Sequence, residues 1–111
     1  MKILVCGGRN YSNYEKLARV LSDFSPTAVV HGAASGADAL AGLWCERNSI
    51  EQHKHPALWQ KHGRAAGPIR NSEMLKLHPD IQLVVAFPGG TGTADMVRKS
   101  SKAGIPVFSV E

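Results

Sequence analysis

Three glycine-rich stretches, each following a short apolar run, are where this chain suggests chemistry. Gly7-Gly8-Arg9 follows Ile3-Leu4-Val5-Cys6, Gly32-Ala33-Ala34-Ser35-Gly36 follows Ala28-Val29-Val30-His31, and Pro88-Gly89-Gly90-Thr91-Gly92-Thr93 follows Leu83-Val84-Val85-Ala86-Phe87. A glycine loop that opens a helix lets backbone N–H groups approach an anion closely, and the helix dipole adds favourable charge, so the chemistry indicated is phosphate binding. Thr91 and Thr93 add hydroxyl donors. A single loop of this kind is equally well a tight strand-to-helix turn, whereas three that converge on one crevice shift the balance towards a ligand. None is a GxxxxGK[ST] phosphate loop, and none is the GxGxxG dinucleotide fingerprint.

Charged residues fall beside these loops. Arg9 follows the first glycine pair, Arg64 and Arg70 flank a later helix start, and arginine suits bidentate contact with phosphate. Asp38 opens the helix after the second loop and Asp95 lies in the first turn after the third. Each carboxylate also favours a helix N-terminus electrostatically, and for Asp38 that structural role is the preferred reading. The expected nucleotide and phosphate contacts are Gly7, Gly8, Arg9, Gly32, Ser35, Gly36, Asp38, Arg64, Asn71, Gly89, Gly90, Thr91, Gly92 and Thr93. His31 reads as a hydrogen-bonded core histidine, and His53, His55, His62 and His78 as solvated side chains without metal-ligand geometry. Trp59 can stack on a nucleobase or cover the core, with packing favoured, and Trp44 reads as core. No Ser/His/Asp, Cys/His or metal constellation is visible, and neither a metal nor a cofactor is expected.

The elements that must position these groups alternate along the chain. Residues 2–6 form a buried parallel strand, and Ser12-Asn13-Tyr14-Glu15 has the form of a capping box for a helix over about 12–24, with Pro26 beyond its end. Residues 28–31 form the second strand, followed by a helix carrying Ala37, Leu40, Ala41, Leu43 and Trp44. Residues 50–55 alternate weakly, as an edge strand does. A connection from Pro56 to Gly67 precedes a helix opened by Pro68 and closed by Pro79. Leu83 to Phe87 is the most apolar run and belongs in the sheet interior; a helix with Met96 and Val97 follows, stopped by Gly104, and residues 107–110 form the last strand. This order predicts an α/β fold, a doubly wound parallel five-stranded sheet of strand order 3-2-1-4-5 with helices on both faces. Its switch point lies between the first and fourth strands, where ligands sit outside the strand C-termini, and both of those strands end in glycine loops.

Composition bounds the function. With 111 residues, 43% of them hydrophobic and 20% charged, the chain is expected to fold as one domain over 1–111 rather than to be disordered or fibrous. Thirteen Lys and Arg against nine Asp and Glu give a net charge of +4. That favours an anionic partner, but without a strip of basic and aromatic residues it argues against nucleic acid. Cys6 and Cys45 lack ligand spacing and are read as reduced core residues. The apolar runs are too short for a signal-peptide core or a membrane span, so a cytoplasmic protein with no membrane partner is expected.

Taken together, Arg70-Asn71-Ser72-Glu73-Met74 and Pro88-Gly89-Gly90-Thr91-Gly92-Thr93-Ala94-Asp95 resemble the RK-x-x-M and PGG-x-GT-x-x-E motifs of the LOG-type nucleotide phosphoribohydrolases, and hence the SLOG superfamily. The fuller set, adding Gly7-Gly8-Arg9, His31-Gly32, Gly36-Ala37-Asp38 and Gly63-Arg64-Ala65-Ala66-Gly67-Pro68-Ile69-Arg70-Asn71, is more similar still to the small SLOG family called YspA or YAcAr. The resemblance spans nearly the whole chain. It implies a three-layer Rossmann-like fold, a nucleotide or nucleotide-derived ligand with its phosphate on the PGG loop, and a homodimer or larger assembly. By the same resemblance Arg70 and Asp95 match the arginine and glutamate that serve N-glycosidic hydrolysis of nucleoside 5′-monophosphates in the LOG enzymes. Asn71 stands where that motif has lysine, and Asp95 is one methylene shorter than glutamate. Two expectations follow: a module that binds the nucleotide without turning it over, or, alternatively, a phosphoribohydrolase releasing base and ribose 5-phosphate.

Overall fold

Ile3, Leu4, Val5 and Cys6 are all buried because their strand is covered on both faces, and side-chain alternation sends successive residues to different cores. In the computed structural model, which describes residues 1–111, this strand, β1 (Lys2–Cys6), is the centre of the sheet. The remaining elements follow in chain order: α1 (Tyr14–Phe24), β2 (Ala28–His31), α2 (Ala37–Asn48), β3 (Glu51–Lys54), α3 (Trp59–His62), α4 (Ala66–Leu77), β4 (Leu83–Ala86), α5 (Thr91–Lys102) and β5 (Val107–Ser109). All pairings are parallel and the spatial order is β3-β2-β1-β4-β5, the Rossmann-like order expected from the sequence. Leu4 of β1 pairs with Val30 on one side and Val84 on the other, which places the β1 and β4 C-termini side by side.

One core joins Ile3, Val5, Val29, Val85 and Phe87 to Leu17 and Leu21 of α1 and to Ala37, Ala41 and Trp44 of α2. The other joins Leu4, Cys6, Val30, Val84 and Ala86 to Met74 of α4 and Met96 of α5. Helices therefore lie on both faces, and the neighbouring β1 and β4 glycine loops leave the sheet at one edge. Trp44 is core, as expected. The edge strands β3 and β5 are the least buried.

Several boundaries differ from the sequence reading. The α1 cap is Asn13, whose Oδ1 accepts from Lys16 N–H at 3.1 Å; the Ser12 capping box, which would engage the Glu15 N–H, does not form, because the helix starts one residue later with Asn13 as its cap. The segment expected to connect Pro56 to Gly67 is largely helical: α3 is followed by a 3₁₀ turn at Gly63–Ala65, and α4 starts at Ala66. Pro68 is the third residue of α4, a position whose N–H has no intrahelical acceptor in any case.

The histidines depart further. His31 is buried, with Nδ1 accepting from Ala33 N–H at 3.0 Å and Nε2 2.9 Å from Gln52 Oε1, as a core histidine should be. His78, expected in solvent, is also buried, and its Nε2 lies 2.7 Å from His55 Nε2 while its ring packs 5.0 Å from that of His53. The register explains this: β3 sets His53 and His55 on one face, and the end of α4 delivers His78 onto it. Burial pushes the His55 and His78 imidazoles below the ordinary histidine range, reinforced by His53 at His55 and by Lys2 at His78. The folded state therefore resists protons that the unfolded chain accepts. Stability contributed this way is complete above the unfolded histidine value of about 6.5 and declines as pH falls through it. The expected result is a melting temperature lower by a few degrees at pH 5 than at pH 7.5, with a shallower difference in His78→Gln. An unchanged slope in that variant would remove the histidine pair as the cause.

Candidate functional site

The three glycine loops meet above the C-termini of β1, β2 and β4, and backbone contacts fasten them. Gly8 N–H donates to Pro88 O at 2.8 Å, and Ala37 N–H donates to Gly8 O at 3.1 Å, so the first loop is clasped between the other two. Such approach leaves no room for side chains. A Cβ on Gly36 would run into Gly8 O and stand 2.5 Å from Arg9 C, and one on Gly89 would run into Thr93 Oγ1 and stand 2.6 Å from Gly8 N. Gly90 and Gly92, by contrast, have nothing within 4 Å of that position. The glycines thus divide into those that pack loop on loop and those that face open space.

Beneath the loops is a cavity of about 630 Å³. It brings together Gly7, Gly8, Arg9, Gly32, Asp38, Arg64, Arg70, Asn71, Gly90, Thr91, Gly92, Thr93 and Asp95 from stretches scattered over the whole chain. Three of the expected contacts lie elsewhere. Ser35 is exposed outside the cavity, Gly36 is behind the first loop, and Gly89 lines a smaller neighbouring recess with Asn10, Tyr11 and Pro88. Gly36 and Gly89 are spent on packing loop against loop, whereas Gly7 and Gly8 pack closely against Ala37, Phe87 and Pro88 and still line the cavity.

Four arginines and two aspartates line the cavity. Arg70 is anchored: Nη1 donates to Gly32 O at 2.7 Å and Nε to Asn71 Oδ1 at 3.1 Å. Burial lowers its pKa and the charge of Asp38 raises it. Asn71 then relays to the third loop through Nδ2, which donates to Asp95 Oδ2 at 3.0 Å and to Gly92 O at 3.2 Å. Asp95 also pairs with Arg98 at 2.7 Å and Lys99 at 2.9 Å. Burial pushes the Asp95 carboxyl up, but the hydrogen bonds from Lys99 and Asn71 and the charges of Lys99 and Arg98 outweigh it and hold the group below the ordinary carboxylate range. Asp38 is different in kind. It is 7% exposed, and Oδ2 accepts from Ala34 N–H at 3.3 Å with no ion pair.

Trp59, for which the sequence favoured packing, is 46% exposed at the cavity rim, with the Arg9 guanidinium 4.9 Å above its ring. The short α3 helix holds it there, too far from either core to be covered. Arg98 and Lys99 were not singled out in the sequence, although their i+3 and i+4 spacing from Asp95 is a readable helix signal. Cys6 is a core residue that also contributes to the cavity floor; burial, with the charge of Asp38, pushes its thiol up to about 12, which leaves no thiolate to act as a nucleophile near neutral pH. Both cysteines are free. No helix is long and apolar enough to cross a membrane.

Over 118 aligned residues, covering 97% of this chain and 94% of the relative, the sequence is 34% identical to the Gene 61 protein of Mycobacterium phage D29. The family match spans β1, the first two glycine loops, Asp38 and Trp59, and the alignment with the relative, covering 97% of this chain, extends beyond residue 62. With residues 1–62 matching it, the chain belongs to the YspA, cpYpsA-related SLOG family.

Proposed function

We propose that the chain binds a nucleotide or a nucleotide-derived small molecule, with a phosphate at the N-terminus of α5 and the arginines Arg9, Arg64 and Arg70 around it. Membership of the SLOG superfamily supports a nucleotide-related ligand. The observation that carries the reading is the coincidence in one cavity of a helix N-terminus with unobstructed glycines and four arginines. The first N–H groups of a helix have no intrahelical acceptor, and an anion with three oxygens satisfies several of them at once. A volume of about 630 Å³ is in the range of small-molecule sites. Trp59, exposed beside Arg9, offers a face on which a base stacks, a contact that tolerates any base.

A second reading, hydrolysis of the N-glycosidic bond of a nucleoside 5′-monophosphate, is favoured by the position of Asp95, an ionised carboxylate on the cavity wall next to the phosphate cradle. Breaking that bond builds positive charge on the ribose, which a fixed carboxylate stabilises.

Equilibrium titration by calorimetry tests the first reading. Adenosine 5′-monophosphate and its guanosine, cytidine and uridine counterparts, ribose 5-phosphate and inorganic phosphate are the probes. At least one nucleotide should bind the unaltered chain, more tightly than inorganic phosphate does. Arg70→Ala should weaken it by about 30- to 100-fold, the loss of one charged hydrogen-bonding partner worth roughly 2–3 kcal/mol. Arg70→Lys should recover only part of this, since an ammonium cannot reproduce the fork. Failure of every probe to bind a folded chain would overturn the reading.

A further inference from the structure

The cavity holds two carboxyl groups in opposite surroundings, and the reading above uses only one. Asp95 has two cations and an amide within 3.0 Å. Asp38, in the first turn of α2, has no paired cation and no side-chain partner: its Oδ2 accepts from the Ala34 N–H at 3.3 Å, and the Gly32 amide lies nearby. The charged and titratable groups that face it come from three elements. His31, at the end of β2, has both ring nitrogens engaged, by Ala33 N–H and by Gln52. Arg70, on α4, spends Nη1 on Gly32 O, and Cys6, at the end of β1, is a neutral thiol. Burial pushes the Asp38 carboxyl above the ordinary range, and the amides of Ala34 and Gly32 with the charge of Arg70 only partly oppose it. A helix N-terminus alone would have held the group ionised.

We propose that Asp38 is the proton donor of this cavity, protonating the leaving base as the N-glycosidic bond of a bound nucleoside 5′-monophosphate breaks, while Asp95 stays ionised beside the ribose. The proposal rests on the hydrolytic reading. Two carboxyls whose surroundings set them apart divide the roles of acid and ion in this way. The bond from C1′ to the base nitrogen breaks, its electron pair goes to that nitrogen, and the nitrogen takes the proton of Asp38. Water forms the new C1′–O bond on the cationic ribose, and the proton that this water gives up restores the acid form of Asp38. One water is consumed, and free base and ribose 5-phosphate are released.

The test compares two substrates that differ only in what leaves. A nucleoside 5′-monophosphate releases a base that needs a proton, whereas ribose 5-phosphate carrying p-nitrophenolate at C1′ releases a stable anion that does not. Asp38→Asn should slow cleavage of the nucleotide by on the order of 100-fold or more, while the aryl substrate loses less than about 10-fold. Equal slowing of both, or no slowing of either, overturns the proposal. Should the variant fail to fold, the unaltered chain decides. Its nucleotide cleavage should fall as pH rises through the Asp38 titration, and aryl cleavage should lack that limb; matching limbs overturn the proposal. An unaltered chain that cleaves neither substrate also overturns it, and nucleotide affinity measured by calorimetry in the same samples then shows that the binding reading stands independently.

Discussion

Gly36→Ala is expected to lower the unfolding free energy by on the order of 3 kcal/mol, from strain at a backbone angle that disfavours side chains together with overpacking. Gly36 has φ 78° and ψ −127°, a conformation that glycine visits freely and alanine does not. The new methyl group would also strike the backbone of Gly8 and Arg9, which is held by Ala37 N–H and by Pro88 O and cannot yield as a flexible side chain would. Relief requires the first loop to move, and with it Arg9 and its stack on Trp59. The loss should therefore appear both in the urea midpoint and in nucleotide affinity, although Gly36 does not line the cavity. Gly90→Ala, which meets nothing within 4 Å, is the control and should leave the urea midpoint close to that of the unaltered chain. Equal midpoints for the two variants would show that the loops are not clasped as described.

Asp95→Asn is expected to separate binding from hydrolysis. The amide keeps the size of the carboxyl and can still meet Asn71, but it cannot stabilise a cationic ribose. Any N-glycosidic cleavage should fall by about 100- to 10,000-fold. Affinity for the phosphate should hold or improve, because Arg98 and Lys99 are freed from their pairs and an anionic neighbour is gone. Stability responds separately. With its folded pKa held below the ordinary carboxylate range, the Asp95 contribution is complete above the unfolded value of about 3.9 and is lost as pH falls through the folded one, so at neutral pH the variant should melt below the unaltered chain. Chromatography of a nucleoside 5′-monophosphate mixture after incubation reads the first effect. Free base released equally by both chains would exclude Asp95 from the chemistry, whatever the cavity binds.

Neither experiment needs a known ligand in advance, because loop packing and the Asp95 network are visible without one. Arg70, Asn71, Gly92 and Asp95 form a continuous hydrogen-bonded path from the second loop to the third. Asparagine at position 71 therefore does what a lysine could not: it accepts from Arg70 while donating to Asp95. In the chain as it stands, the departures from the LOG motif at positions 71 and 95 fit each other.

The sequence by itself determined the sheet, its order and the convergence of the loops. These depend on short-range properties: apolar runs at β1, β2 and β4 that bury on both faces, glycine soon after each of those three, and helical spacing between the strands, which together with right-handed crossovers leave few arrangements. It also marked Arg9, Arg70 and Asp95, since charge next to a glycine loop is a local signal. Only the tertiary structure decided which glycines face the cavity and which face another loop, because that depends on distances between backbones far apart in the chain. The same holds for Asp38, whose helix-start position predicted a charge-stabilised cap. What separates it from Asp95 is the absence of any paired cation and the depth of its burial, and desolvation is a property of the assembled surroundings. The histidines follow suit: β3 and α4 bring His55 and His78 within 2.7 Å of each other from positions 23 residues apart, and no local pattern records that meeting.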